Sequence, residues 1–448
     1  MLGRLFVAVF SLYLIFLGLG SFPLMEPDEG RNAEVAREIV VDGHWFPPTL
    51  GGRVRYEKPP LFYWLEAFSF KLWGLNEFAA RFVPAFSGFL TVVCVWFMGS
   101  LLWQEDVGIH AALALSSMFI FFMFSRIVIF DMLLTFFIAA SLVFFVVYLD
   151  RKSHFYSFLS GLLASFAFLT KGPVGVVIPL MGILPVIFHR REDVVRFFVF
   201  FFLPFLFVVF PVFAFLEVKS PGYCYNFFWK ENVLRYLTPV FKREKPWWFF
   251  IAVLFVGLMP WSLFAGRIRE SLGILWAEER EKFYMLAGWA VLPVLFFSFS
   301  KSKMPQYILP AFPAWALIVG HSLNDFGFVF EDALRKLLFV VLLCYTCFVF
   351  VMPFYAKNRS FHDVRYEGID RTRPLVFFKA KAYTLSFYLN RTPVLASSEL
   401  TLKRLLKKKK CLYVFTRKSK LDDVKEGVSS NVRVVWRKKG YLLLNLCD

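Results

Sequence analysis

The sequence predicts an all-α polytopic membrane protein with about eleven membrane-spanning helices and a small α/β domain at its C-terminal end. Three observations carry this. Of 448 residues, 58% are hydrophobic and 20% aromatic, with 61 Phe and a mean hydropathy of +0.59. Soluble domains hold roughly 45–50% apolar residues. Apolar runs near the ~20 residues needed to cross ~30 Å of hydrocarbon recur along the chain. After residue 356 the pattern changes to short strand-like runs among many charges. This composition excludes a large soluble protein with buried helices.

The expected spans lie near 5–24, 79–103, 107–125, 131–149, 155–170, 173–189, 197–216, 247–265, 283–299, 307–323 and 337–356. The run from Leu5 to Leu24 is long and no A-x-A-like site follows it, so it reads as an uncleaved first span rather than a signal peptide. The pair 155–170 and 173–189 is short and joined by "TKGPVG" (170–175), which reads as a bent or partly inserted pair.

Orientation follows from Lys and Arg in short loops. With the N-terminus inside, the inner loops "DRKSH" (150–154), "HRREDVVR" (189–196), "GRIRESLGILWAEEREK" (266–282) and "EDALRK" (331–336) each carry Lys or Arg, while the one near "QED" (104–106) is neutral to acidic and does not add to the signal. The outer face then receives 25–78, 126–130, 171–172, 217–246, 300–306 and everything after 356. The formal net charge of +18 serves topology and anionic lipid in such a protein, not nucleic acid. The six Cys show no paired metal spacing, and no disulfide framework is expected.

Acids, bases and aromatics gather on the outer side. In "PDEGRNAEVAREIV" (27–40), Pro27 suits a first helical turn, and Asp28 and Glu29 sit at the positive end of the helix dipole. An apolar stripe (Ala33, Val35, Ala36, Ile39, Val40) beside a polar one (Arg31, Glu34, Arg37, Glu38) reads as an amphipathic helix on the membrane surface. In "RYEKPPLFYWLEAF" (55–68), two prolines stiffen the backbone after Lys58, whose ammonium is a partner for a lipid phosphate or a snorkelling interface lysine. Glu57 beside it is positioned to tune that lysine or to bind a metal. In "FSRIVIFDMLLTFF" (124–137), Asp131 heads a span, where a carboxylate is costly unless wet, paired or functional. Arg126 is its nearest structural partner in sequence. In "SKSKMPQYILPAFPAWAL" (300–317), Lys303 and Tyr307 lie one turn apart and form a candidate phosphate clamp.

The division along the chain is 1–356, a transmembrane domain whose segment 25–78 supplies outer juxtamembrane helices, and 357–448, a soluble α/β domain. In the latter, "PLVFFK" (374–379), "CLYVFT" (411–416) and "VRVVW" (432–436) read as strands, and "SELTLKRLLKKKK" (398–410) as a basic helix. That helix is either a solvated face or a contact for anionic headgroups.

Taken together, "PDEGRNAEVAREIVVDGHWFPPTLGGRVRYEKPPLFYW" (27–64), "FAARFVPAF" (78–86), "RIVIFDMLLTFF" (126–137), "FLTKGPVGVVIP" (168–179), "FFWKENVLRY" (227–236), "KPWWFF" (245–250), "LMPW" (258–261) and "SKSKMPQYILPAFPA" (300–314) resemble the GT-C superfamily of membrane glycosyltransferases. The resemblance lies nearest the aminoarabinose lipid A transferases and protein mannosyltransferase-type enzymes and runs from the first span to near residue 320. It implies a GT-C-type helical bundle, a polyprenyl-phosphate-sugar donor and a lipid or protein acceptor at the outer leaflet of a bacterial inner membrane. It also implies roles: Asp28 as the central catalytic acid, Asp131 as the second, Lys58 on the donor phosphate, and Tyr307 before "ILP". Arg235 and Lys303 join the phosphate-binding candidates; Glu29, Glu57, Arg81, Arg126 and Lys171 are secondary ones. Asn232 stands where the aminoarabinose transferases often carry a His that can hold a metal with the glutamate of "EKP". Asn is the weaker zinc ligand, so no cofactor is expected, with a divalent cation at Glu57 the class left open.

The expected reaction is an inverting transfer in which fixed cations stabilise the leaving phosphate and Asp28 serves as base for an acceptor hydroxyl, or orients an acceptor phosphate. Within this reading, protein O-glycosylation competes with lipid A modification. A membrane transporter is the rival of a different class. Transporters usually place ionisable groups near the bilayer midplane, whereas here charges gather at one end of clean spans.

Overall fold

A computed structural model describes residues 2–190, 194–239, 242–323, 328–370, 372–409, 411–427 and 431–447. The chain divides into two compact units. The first comprises Met1–Leu19, Tyr56–Phe62 and Arg81–Val349, and the second Gly20–Arg55, Tyr63–Ala80 and Phe350–Asp448.

In chain order the helices are α1 (Leu2–Phe16), α2 (Asp28–Asp42), α3 (Leu61–Trp73), α4 (Glu77–Leu102), α5 (Glu105–Ser117), α6 (Phe119–Phe124), α7 (Asp131–Arg151), α8 (His154–Lys171), α9 (Val174–Arg190) and α10 (Val194–Lys219). There follow the single turn α11 (Arg235–Leu237), then α12 (Phe249–Gly257), α13 (Ala265–Glu278), α14 (Arg280–Ser298), α15 (Phe312–Ser322) and α16 (Phe328–Lys357). The last three, α17 (Tyr383–Leu389), α18 (Glu399–Lys409) and α19 (Leu421–Gly427), alternate with strands.

Each apolar run is helical, yet among the described residues only four helices are long and apolar enough to cross a membrane: Glu77–Leu102, Asp131–Arg151, Val194–Lys219 and Asp332–Lys357. A fifth results if α12 and the helical stretch Trp261–Glu278, bent by 99° at their junction, count as one. The other runs are interrupted. The run 107–125 breaks at Met118, between α5 and α6. The run 307–323 begins as a 3-10 helix, Pro305–Ala311, because Pro305, Pro310 and Pro313 remove amide donors from its start. The run 5–24 stops being helical at Phe16.

The first unit packs α7 on α8, α8 on α10, α9 on α14 and α5 on α15. Small residues bring these backbones together, as in membrane helix packing generally. A Cβ on Gly161 would lie 1.8 Å from the Phe201 carbonyl oxygen, and one on Gly288 would lie 2.1 Å from that of Met181. Two buried arginines finish α1, whose last carbonyls lack helical partners. Arg126 donates to the carbonyls of Leu14 (3.0 Å), Ile15 (2.9 Å) and Leu17, and Arg81 donates to that of Leu19 at 3.1 Å.

In the second unit α2 departs from the expected surface helix. Most of its polar stripe is enclosed: Glu34 and Glu38 are 0% exposed and Arg37 1%, while Arg31 stays partly exposed. Arg37 grips Glu34 through two hydrogen bonds of 2.8 and 2.9 Å. Glu38 accepts from Thr49 (2.5 Å) and the Gly51 amide (2.6 Å), closing the hairpin of β1 (Thr49–Leu50) and β2 (Arg53–Val54). Polar periodicity marks one face; whether water or protein covers that face depends on tertiary partners.

The C-terminal sheet has five strands, β3 (Leu375–Phe378), β4 (Val394–Ala396), β5 (Cys411–Arg417), β6 (Asn431–Lys438) and β7 (Tyr441–Cys447), in the order β4-β3-β5-β7-β6. β3 runs parallel to β4 and β5, and β7 antiparallel to β5 and β6. α18 lays Leu402 and Leu406 on this sheet and leaves Lys403, Arg404, Lys407, Lys408 and Lys409 exposed. Contrary to the expectation of no disulfide, Cys411 and Cys447 are joined. They stand 36 residues apart, and only the β5–β7 register sets them opposite one another.

Arg126→Leu strips three carbonyls of their donor. The expected loss is on the order of 1–3 kcal/mol per group left buried and unpaired, read as a lower melting temperature in detergent. An unchanged melting temperature would remove Arg126 from this role.

Candidate active site

The first unit contains a cavity of about 430 Å³ whose wall includes Lys58, Lys171, Glu231, Arg235 and Tyr307. Each side chain arrives there for a local reason. Lys58 precedes Pro59 and Pro60, which bias it to an extended backbone. Its carbonyl accepts the Tyr223 hydroxyl at 2.8 Å, and its ammonium stands 5.8 Å over the Phe130 ring. Lys171 is the last residue of α8. The chain leaves it through Gly172 at φ +84, where a Cβ would lie 2.5 Å from Phe227 Cζ, so glycine is required on both counts. Arg235 follows a ten-residue π-helix, Tyr225–Leu234, that also carries Glu231; such wide turns recur at functional sites. Tyr307 lies in the 3-10 segment before α15.

Charge pairing in this cavity is uneven. Asp131, first residue of α7 and 3% exposed, holds the Lys171 ammonium, which also lies 4.8 Å over the Tyr307 ring. Arg235 meets Glu231 at 2.9 Å. Among the described residues no carboxylate pairs with Lys58. Lys58 lies in the loop ahead of α3, outside the spanning helices. Removal of its ammonium from water, reinforced by the positive charges of Arg235 and Lys171, pushes its pKa down to about 7. The cavity wall thus carries two cations in ion pairs and one lysine, Lys58, that makes none among the described residues.

The remaining candidates fall elsewhere. Lys303 does not line the cavity with Tyr307; its ammonium donates to the Lys245 carbonyl at 3.1 Å. Arg126 is not the partner of Asp131, and Arg126 and Arg81 hold the end of α1 instead. Asn232 lines the cavity and donates to the Phe227 carbonyl at 2.7 Å. Glu57 is exposed. Among the described residues, the acids and histidine that come within metal-ligating reach are Glu38, Asp42 and His44, without Glu57. That group is explained by the hairpin, since Glu38 and His44 both bond Thr49.

Asp28 and Glu29 belong to the second unit. Asp28 forms an ion pair with Arg31, one helical turn on. Glu29 is buried and turns back to accept the Met25 amide at 2.9 Å, a capping role at the start of α2. Sequence reasoning missed Glu231, Tyr236, Ser300 and Ser302 as lining residues. Glu231 carried a usable signal, an acid four residues before Arg235. The two serines carried none.

Comparison with known proteins agrees with this architecture. A family model described as dolichyl-phosphate-mannose-protein mannosyltransferase matches residues 57–215. The chain is 31% identical over 330 residues to the undecaprenyl phosphate-alpha-4-amino-4-deoxy-L-arabinose arabinosyl transferase of Aeromonas hydrophila, a match covering 71% of this chain and 59% of that protein. A second such transferase, from Sodalis glossinidius, is 32% identical over 325 residues, covering 70% of this chain and 58% of its own length. The chain thus spans less than two thirds of these curated relatives. The crystal structure of ArnT from Cupriavidus metallidurans bound to undecaprenyl phosphate superposes with a TM-score of 0.82 at 21% identity, over 99% of this chain and 97% of that one, which establishes the fold. The chain thus has the fold of that protein and is similar in sequence, over part of its length, to the aminoarabinose transferases and to the protein mannosyltransferase family model.

Proposed function

We propose that this protein is an inverting glycosyltransferase that moves a sugar from undecaprenyl phosphate, or a similar polyprenyl phosphate, to a lipid A-type acceptor at the outer leaflet of the inner membrane. The observation that carries the reading is the unmatched Lys58 in a cavity otherwise charge-balanced. A phosphate completes that balance, and the Aeromonas relative is named for an undecaprenyl phosphate-linked aminoarabinose.

In the reaction an acceptor oxygen attacks the anomeric carbon as the bond from that carbon to the phosphate oxygen breaks. The polyprenyl phosphate departs as an anion, so it needs positive charge rather than a proton. Lys58 supplies that charge, with Arg235 and Lys171 fixed beside it by Glu231 and Asp131. Asp28, the central acid of the family motif, takes the proton of an acceptor hydroxyl, or orients an acceptor phosphate that is already ionised. The membrane span count is proposed as about eleven, with broken helices completing the shorter crossings. The cavity and C-terminal sheet face the periplasm. The inner loops rich in Lys and Arg support this orientation, as does the Cys411–Cys447 disulfide, because such bonds persist in oxidising compartments. The family model's description favours one second reading, protein O-glycosylation with the same donor class. Mass spectrometry of lipid A and surface proteins, with and without the gene, separates the two. Transport of substrate into sealed vesicles with no covalent product would replace both.

Lys58→Ala is expected to cost about 2.7–4 kcal/mol of transition-state stabilisation, a hundredfold to a thousandfold in kcat/KM. Near-normal kcat/KM would withdraw the phosphate assignment. Asp28→Asn should abolish turnover in a lipid-linked sugar assay; full turnover would remove its role. The pH dependence has a definite sign. Free Lys58 loses its proton as pH rises through about 7, and the charged form is the one that binds phosphate. Donor affinity should therefore fall above that pH, and binding on the alkaline side should take up a proton, seen by calorimetry in buffers of different ionisation enthalpy. Affinity that is flat across this range, with no proton uptake, would contradict it.

A further inference from the structure

We propose that α17 and the turn after it, in the C-terminal part of the chain, position the Asp28 carboxylate for catalysis. This rests on the reading of Asp28 as the catalytic acid. All the contacts lie within the second unit.

The contacts follow α2 along its length. Ahead of the helix, the Leu24 amide donates to the Tyr388 hydroxyl at 2.8 Å, and that hydroxyl donates to Glu77 at 3.0 Å. The Glu26 carboxylate accepts the Thr384 amide at 2.6 Å, while the Glu26 amide donates to the Arg359 carbonyl at 2.8 Å. At the far end, Arg37 donates to Asn390 Oδ1 at 3.2 Å and to Thr392 Oγ1 at 2.6 Å, and the Thr392 hydroxyl donates to Asp42. Between them is Gly30, in the same turn as Asp28. A Cβ there would lie 2.5 Å from Thr384 Cγ2, 2.8 Å from the Thr384 amide nitrogen and 3.0 Å from Glu26 Oε1. The glycine is not there for backbone freedom, since it is helical. It is there because α17 approaches α2 too closely for a side chain. Asp28 is thus set from both sides: by Arg31 within the helix and by the α17 backbone against the turn that bears it.

The bonds bracket the turn that carries the catalytic carboxylate, and a displacement near 1 Å can cost about a hundredfold in rate. The residues that supply them lie beyond the motifs of the family resemblance, which end near residue 320.

The test uses the full-length protein in detergent, with kcat for sugar transfer and the affinity for undecaprenyl phosphate measured side by side. The phosphate cavity is lined by first-unit residues only, so the two readouts separate positioning from binding. Gly30→Ala should lower kcat by about tenfold to a hundredfold with affinity within about twofold of wild type. Adding Thr384→Ala, which removes the nearest clashing atom, should recover part of that loss. Thr392→Val should lower kcat several-fold and Thr392→Ser should not, because serine keeps the hydroxyl that bridges Arg37 and Asp42. This second pair stands if Gly30→Ala fails to fold. Unchanged kcat in folded Gly30→Ala, or equal kcat in Thr392→Val and Thr392→Ser, overturns the proposal. Full turnover by Asp28→Asn overturns the functional reading instead.

Discussion

Lys58 stands in a cavity where Lys171 and Arg235 each pair with a carboxylate, while its own ammonium makes no ion pair among the described residues and feels Glu231 and Asp131 only from a distance. A cation partly withdrawn from water and in no ion pair of its own is unfavourable. The protein can relieve that state in two ways. The lysine sheds its proton, which its lowered pKa makes accessible near neutrality, or an anion enters and keeps the proton in place. A lipid phosphate is the anion that also suits the apolar surroundings of Phe228, Phe296 and Phe297 on the same wall. In the proposed function, phosphate binding and lysine protonation are therefore linked.

The rest of the first unit supports that arrangement. Its lysines and arginine sit where regular structure stops: Lys171 at the end of α8, Arg235 after a π-helix, and Lys58 before a pair of prolines. Helix ends and irregular turns let long polar side chains reach a common wall without burying backbone groups unpaired. The buried arginines at α1 do parallel work for stability, taking carbonyls that the shortened first helix leaves over.

Some of this was legible in the sequence. Apolar runs located the helices, because periodic burial in lipid needs nothing but length and composition. Lys58 and Asp131 stood out because each places a charge against a proline pair or a span where it is costly. The ion-pair partners were not legible. Arg126 is the nearer cation to Asp131 in sequence, yet α7 packs on α8 and so delivers Lys171 instead. Lys303 and Tyr307 share a spacing that would stack them on an α-helix, but the prolines turn that segment into a 3-10 helix and the lysine goes to the Lys245 carbonyl. The polar stripe of α2 was read correctly as a stripe and assigned to water, when α17 and the β1–β2 hairpin cover most of it. The Cys411–Cys447 bond depends on sheet register, which no local pattern encodes.

The central claim is that the Lys58 cavity receives a polyprenyl phosphate. The most direct measurement is an electron cryomicroscopy or crystal structure of this chain with undecaprenyl phosphate bound. The account predicts density for the phosphate at hydrogen-bonding distance, ~2.7–3.2 Å, from Lys58 Nζ, with the polyprenyl chain leaving along the apolar wall. Phosphate density at another site, with Lys58 unengaged, would contradict it.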